Sequence, residues 1–239
     1  MTRSGVTFEN KIHTERDWGL KLLSVYIPMP QPKTQLVDIP GGDGSIDLTE
    51  ASTGRPAYAD RDGIELVFDL MDGDYRAWFM KYSQFAAEMH GKKVKMVLDD
   101  DPDHYYMARL GIDGQKTNPV YGQITLSGTA EPFKYDIQSS AEDWLWDTFN
   151  FETGVIRTLK DITIDSANRT IKILGAGIDT PPVFVVTRAD NLKLTHEGRT
   201  YTLKVGRNRF PAVRVGEQDV ILAFSGSGTL TVEYRGRYL

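Results

Sequence analysis

Three stretches decide how this chain folds: Arg-Asp-Gly-Ile-Glu-Leu-Val-Phe (61–68), Tyr-Arg-Ala-Trp-Phe-Met-Lys-Tyr-Ser-Gln-Phe-Ala-Ala-Glu-Met (75–89) and Lys-Lys-Val-Lys-Met-Val-Leu (92–98). In the first, Ile64, Leu66 and Phe68 alternate with Glu65, Val67 and Asp69, the period of a strand with one buried face. In the second, Tyr75, Trp78, Phe79, Tyr82, Phe85, Ala86 and Met89 recur at helical spacing on one face, with Arg76, Lys81, Gln84 and Glu88 on the other. Asp72 or Asp74 caps its start, and Gly91 closes its end in the left-handed conformation. An aromatic stripe of this kind packs into a core rather than holding a cofactor. The third stretch predicts a strand over 92–98, followed by Asp-Asp-Asp-Pro-Asp (99–103) as a turn and by strands over 105–112 and 120–129. Strand, helix and hairpins together predict a β-rich unit with one helix.

Working outward, Trp18-Gly19-Leu20-Lys21-Leu22 alternates as a half-buried strand does, and Pro28, Pro30 and Pro32 then enforce an extended, exposed loop. Gly41, Gly42 and Gly44 form a tight turn leading into a strand at Ile46 and Leu48. Thr49 to Asp62 is polar and rich in small residues, with Tyr58 its single aromatic. Such an arm cannot bury much by itself, and another chain is the natural partner. Arg55, Tyr58 and Arg61 are the side chains long enough to make interchain contacts there; a solvated loop is the alternative reading.

Past residue 135 the pattern changes. Aromatics alternate at Trp144, Trp146, Phe149 and Phe151, as in a connecting strand. Short strands then follow at 162–164, 171–173, 183–186, 192–194, 201–205, 220–224 and 230–234, with Gly and Pro turn signals between them. That spacing predicts a β-sandwich. Gly226-Ser227-Gly228 reads as the turn between the last two strands.

Composition narrows function. A chain of 239 residues holds two modest domains or one large β domain. It has no cysteine, which excludes disulfides, thiolate metal sites and cysteine nucleophiles. No apolar run approaches the length of a membrane span, and the first residues are not a signal sequence, so the expected compartment is the cytosol of the producing cell. Residues 1–135 carry 15 Lys+Arg against 20 Asp+Glu, and residues 136–239 carry 13 against 13. Neither half has the basic stripe of a nucleic-acid binder.

Chemistry-bearing motifs are absent. The cluster Asp99, Asp100, Asp101, Asp103 and His104 lacks the alternating ligands, central Gly and terminal Glu of a calcium loop and reads as a solvated acidic hairpin tip. The Gly41–Gly44 turn has no Gly-Lys-Ser/Thr ending and starts no helix. His13, His90, His104 and His196 show no metal-ligand spacing, and Ser227 has no evident base. We therefore expect no catalytic, cofactor-binding or metal residues and no enzyme.

The motif order from 38 to 135 carries a resemblance. Asp-Ile-Pro-Gly-Gly-Asp-Gly-Ser-Ile-Asp-Leu (38–48), Tyr58 with Arg61 before a strand, His-Gly-Lys-Lys-Val (90–94), Asp-Asp-Asp-Pro-Asp-His-Tyr-Tyr (99–106) and Ala-Glu-Pro-Phe-Lys-Tyr (130–135) resemble the distal tail protein family of siphophages and of prophages of Gram-positive bacteria. The second half is similar more loosely, through 144–151 and the ending from Gly226 to Leu239. The resemblance implies a mainly β fold: an N-terminal α+β ring-forming domain over 1–135 and a C-terminal galectin-like β-sandwich over 136–239. It implies a homo-hexameric hub ring at the phage tail tip, assembled in the host bacterial cytoplasm. One face would meet the tail tube protein and the other the tail-associated lysin or receptor-binding protein, with DNA passing through unbound and no membrane involved. Arg55, Tyr58 and Arg61 become ring-interface candidates. A carbohydrate-binding host-attachment module is the alternative, and a tail-associated hydrolase the third reading.

Overall fold

The computed structural model describes residues 5–70, 74–116, 121–142 and 159–239. The fold is mainly β, with antiparallel sheets and little helix. The chain divides into two compact units, Met1–Lys134 together with Leu239, and Tyr135–Tyr238.

The first unit contains β1 (Val6–Phe8), β2 (Ile12–His13), α1 (Thr14–Trp18), β3 (Lys21–Tyr26), β4 (Leu36–Asp38), β5 (Ser45–Asp47), β6 (Arg61–Asp69), α2 (Tyr75–Met89), β7 (Lys93–Leu98), β8 (Asp101–Lys116) and β9 (Gly122–Ala130). Its main sheet runs β2-β1-β7-β8-β9-β6-β3, leaving β3 as the longer free edge. Alternation decides which side is core. Ile64, Leu66 and Phe68 of β6 are fully buried, as are Met96, Leu110, Ile124 and Leu126 from its neighbours, and α2 adds Trp78, Phe85 and Met89 to the same cluster. Asp74 caps α2 by accepting from the Arg76 N–H at 2.9 Å, and Gly91 follows its end at φ 70°.

Three local expectations are corrected. Trp18 ends a five-residue helix rather than starting a strand. His13 Nδ1 accepts from the N–H groups of Glu15 and Arg16 and so caps α1, and Gly19 at φ 69° reverses the chain into β3. The β7–β8 hairpin is tighter than a five-residue turn: Leu98 pairs with Asp101, so Pro102 lies within β8, past an irregular register. The apolar stripe of α2 splits in two. Trp78, Phe85 and Met89 are buried, whereas Tyr75 and Phe79 are 43% and 54% exposed. One helix face of about 100° covers the sheet, and the doublet Phe79-Met80 widens the apolar arc past what that contact takes up.

In the second unit the strands are β10 (Lys134–Asp136), where the chain passes into it, then β11 (Ile162–Ile164), β12 (Thr170–Ile173), β13 (Val183–His196), β14 (Arg199–Thr202), β15 (Gly206–Arg209), β16 (Val220–Glu233) and β17 (Arg237–Tyr238). The long strands β13 and β16 pair from Val183–Glu233 to Thr195–Ala223, with two register shifts between. β12 and β14 flank one half of this pair, and β11 and β15 flank the other. Both halves face one core that includes Phe184, Leu194, Leu222, Leu230 and Val232, so one sheet folded on itself makes two layers.

What reads in the sequence as four strands is therefore two. The pairs 183–186 with 192–194, and 220–224 with 230–234, are each continuous through a bulge. Gly226-Ser227-Gly228 is part of β16: Ser227 pairs with Asp190 and Gly228 with Ala189. Gly226 sits at φ 81°, and a Cβ there would lie 2.2 Å from the Asn191 carbonyl oxygen, so glycine is required where the strand bends. The expected connecting strand at 144–151 lies outside the described residues.

Candidate interaction surface

Between β3 and β6 the chain leaves the sheet and returns as a ladder-closed projection. At its base the Lys33 N–H donates to the Ala57 carbonyl and the Ala59 N–H to the Gln31 carbonyl, both at 2.8 Å, with Pro32 and Tyr58 bridged between them. Farther out the Leu48 N–H donates to the Gln35 carbonyl at 2.8 Å, and β4 pairs with β5 as a hairpin whose turn contains Gly41 and Gly44 at φ 75° and 77°. The arm is thus longer than Thr49–Asp62, because the strand at Ile46 and Leu48 belongs to it.

No residue from Gln31 to Asp60 is buried. Yet Leu36, Val37, Ile39, Ile46 and Leu48 all stand exposed on the hairpin, Leu36 at 60% and Ile46 at 52%. Apolar surface in water forgoes about 25 cal/mol per Å² of burial, and an isolated two-stranded hairpin is marginal at best. Val37 and Ile46 pair across the hairpin on one face, while Leu36 shares the other with Asp47, and an exposed apolar face of this kind on an otherwise polar projection marks an interaction surface. These apolar residues, rather than the long polar side chains of Arg55, Tyr58 and Arg61, make the exposed surface of the arm. The available signal was apolar residues on both sides of a glycine-rich turn, with no neighbouring apolar run to bury them.

The three residues selected from sequence have different fates. Arg55 lies on the outer loop of the arm, where the Thr53 hydroxyl donates to its carbonyl at 2.6 Å. Tyr58 is half-buried at the base, edge-on to Phe133 with ring centroids 5.9 Å apart. Arg61 is only 2% exposed, so its side chain works inside its own unit. Its Nε donates to the Pro132 carbonyl at 3.0 Å and its Nη1 to the Pro28 carbonyl at 2.7 Å, while the guanidinium lies 5.5 Å from the centre of the Tyr106 ring. Burial lowers the pKa of Arg61, and the Tyr106 interaction opposes that shift. Arg61 ties both ends of the arm to the loop after β9. Arg61→Met, which keeps most of the bulk but leaves two carbonyls without donors, is expected to cost about 2 kcal/mol in urea unfolding. An unchanged midpoint would show that the staple carries no stability.

Two further apolar surfaces are exposed in the first unit. Leu23, Val25 and Tyr26 stand out from the free edge strand β3. On the outer side of α2, Arg76, Phe79, Met80, Ser83 and Gln84 line a shallow groove, with Phe79 and Met80 54% and 55% exposed.

The acidic hairpin is committed to internal bonds rather than lying free in solvent. Asp99 accepts from the Gly5 N–H at 2.8 Å and pairs with His13 Nε2 at 3.0 Å. Asp101 pairs with Lys134 at 2.6 Å and with His104 at 2.5 Å. Partial burial pushes the Asp101 carboxyl up, but the bonds from Lys134 and His104 outweigh it and hold the carboxyl below its ordinary value. A depressed carboxylate stabilises the fold above its unfolded pKa of about 4 and loses that contribution as pH falls through its lower folded value. Asp101→Asn should therefore cost about 1 kcal/mol or less at pH 7, where solvent screens the pair, and the gap should narrow as pH falls below the unfolded value of about 4. Urea midpoints across this pH range check it, and a gap that widens toward acid would contradict it. Among the described residues, no group of three or more His, Cys, Asp or Glu is placed to hold a metal ion. No helix among them is long and apolar enough to cross a membrane.

No protein-family model matches the chain, and no curated protein does. Among solved structures, the fold is similar to that of SPP1 Dit (gp 19.1), whose crystal structure is described as a paradigm of the hub adsorption apparatus in phages infecting Gram-positive bacteria. The TM-score is 0.61, and the match covers 99% of this chain and 99% of that one at 12% sequence identity. At that identity the likeness defines a shared fold spanning both units.

Proposed function

We propose that the chain is a structural protein of a phage tail tip: a distal tail hub whose first unit builds a homo-hexameric ring. In this reading the ring joins the tail tube on one face to the tail-associated lysin or receptor-binding apparatus on the other. Its place is the virion, and its work is assembly rather than catalysis. The observation that carries the proposal is the arm. It buries nothing of its own, exposes a row of apolar side chains and projects from a rigid base, so another subunit is the economical cover for it. A heterologous contact of that kind, repeated by rotation, closes a ring. The fold likeness to SPP1 Dit over the whole chain supports the same reading.

A ring leaves a channel, and the charge of the first unit suits one that lets DNA slide. Residues 1–135 carry 15 Lys+Arg against 20 Asp+Glu, an acidic excess that disfavours phosphate binding. Sugar binding by a galectin-like second unit is the competing reading. A sugar site of that type uses an exposed aromatic platform. Among the described residues, the strongly exposed large apolar side chains of the second unit are Val205 and Ile221, neither aromatic, which favours the structural role.

Negative-stain microscopy of the purified protein tests the proposal. Six-fold rings with a central channel are expected, and a field of single small particles would overturn it. A glycan array should give no signal.

A further inference from the structure

The dipeptide Asp-Gly occurs in the chain at 43–44, 62–63, 72–73 and 113–114. In such a pair the glycine amide nitrogen can close on the aspartate side-chain carbon, because glycine has no side chain to obstruct the approach and the widest backbone freedom. Closure needs rotation of the peptide plane between the two residues. A strand held in a ladder resists that rotation, and an open turn permits it.

The pair at 72–73 lies outside the described residues, and the other three stand in different settings. Asp113 pairs with Thr125 and Gly114 with Ile124 inside β8, and the Gly114 N–H already donates to Asp113 Oδ1 at 2.8 Å. Asp62 pairs with Thr129 and Ile64 with Gly128, so the ladder grips Asp62-Gly63 from both sides. Asp43 and Gly44 instead lie in the loop that the last hairpin pair, Asp38 with Ser45, closes. Both are exposed, and a Cβ built on Gly44 would meet nothing within 4 Å. Among the described residues no hydrogen bond holds the Gly44 N–H or the Asp43 carboxyl.

We infer that Asp43-Gly44 is a site of spontaneous isoaspartate formation, selected by the fold over Asp62-Gly63 and Asp113-Gly114. The Gly44 nitrogen attacks Cγ of the protonated Asp43 carboxyl. The N–Cγ bond forms, the Cγ–OH bond breaks, and the hydroxyl leaves as water with the amide hydrogen. Water then opens the succinimide. Addition at the Cγ carbonyl restores aspartate, whereas addition at the main-chain carbonyl leaves the chain running through Cγ, with one more methylene in the backbone and a free α-carboxylate. Turn geometry sets hairpin register, so the change falls on the pairing that aligns Val37 with Ile46. The inference goes beyond the hub reading and does not depend on it.

The test incubates the dilute full chain in warm neutral buffer, labels isoaspartate with a protein isoaspartyl methyltransferase and radioactive methyl donor, and maps the label on tryptic peptides. Thr34–Arg61 contains Asp43-Gly44 alone of the four pairs, and Leu110–Lys116 contains Asp113-Gly114 alone. The first should carry at least ten-fold more label than the second. In guanidinium chloride, where no ladder holds either pair, the ratio should fall toward one. Asp43→Glu, which keeps the charge but would have to close a larger ring, should remove the label from Thr34–Arg61. Equal labelling of the two peptides in the folded protein, or the same ratio folded and unfolded, would overturn the selection by the fold. Label that survives Asp43→Glu would place the reaction at another acid and overturn the site.

Discussion

Excision of Thr34–Pro56, with Lys33 joined to Ala57 through an Asn-Gly turn, is expected to convert the assembled protein into a folded monomer. Lys33 and Ala57 already face each other across the ladder at the arm base, and Asn-Gly closes a two-residue hairpin without strain. The removed segment contains no buried residue. Its loss therefore takes nothing from the core around Ile64, Trp78 and Leu126, and the melting temperature should stay within a few degrees of the parent's value measured on dissociated protein. What is lost is the whole exposed row from Leu36 to Leu48, and with it every contact assigned to the arm. Light scattering should show monomer at concentrations where the parent is fully assembled. A hexamer that survives the excision would place the ring contacts elsewhere in the first unit.

The second large effect is expected at Trp78. The side chain is fully buried, stacks on Tyr82 with centroids 5.3 Å apart and meets Phe79 edge-on at 5.0 Å. It fills a slot cut by two glycines: a Cβ on Gly122 would lie 2.2 Å from the indole nitrogen, and one on Gly114 would lie 3.1 Å from the ring. A backbone held that closely cannot collapse into the space left behind. Trp78→Ala should therefore cost about 3–5 kcal/mol, a large share of the roughly 5–15 kcal/mol that holds a domain folded. The core of the second unit is a separate cluster, so a calorimetric scan should show the transition of the first unit moving down while the other stays in place. A loss below about 1 kcal/mol would mean that the slot closes and that α2 is not pinned to β8 and β9 by this residue.

The two kinds of position were not equally legible in the sequence. The buried side of α2 could be read directly, because Trp78, Phe85 and Met89 repeat at helical spacing and Asp74 and Gly91 mark the ends. The outer side could not. Phe79 is as apolar as its neighbours, and only packing reveals that the sheet covers one side of the helix while Phe79 and Met80 stand outside. The same limit applied to β13 and β16, where bulge residues such as Asn191 and Gly226 mimic turn chemistry inside continuous strands. At the arm, the long polar side chain of Arg61 is buried by folding, whereas Leu36 and Ile46 stay exposed. Apolar residues at strand spacing imply burial, but a sequence does not say whether the cover comes from the same chain.

If one chain covers the arm of another, the mass of the intact protein in solution shows it most directly. Multi-angle light scattering over a hundred-fold dilution should give about six times the 26.9 kDa of one chain at the upper end of the range. A mass of 26.9 kDa at every concentration would contradict it.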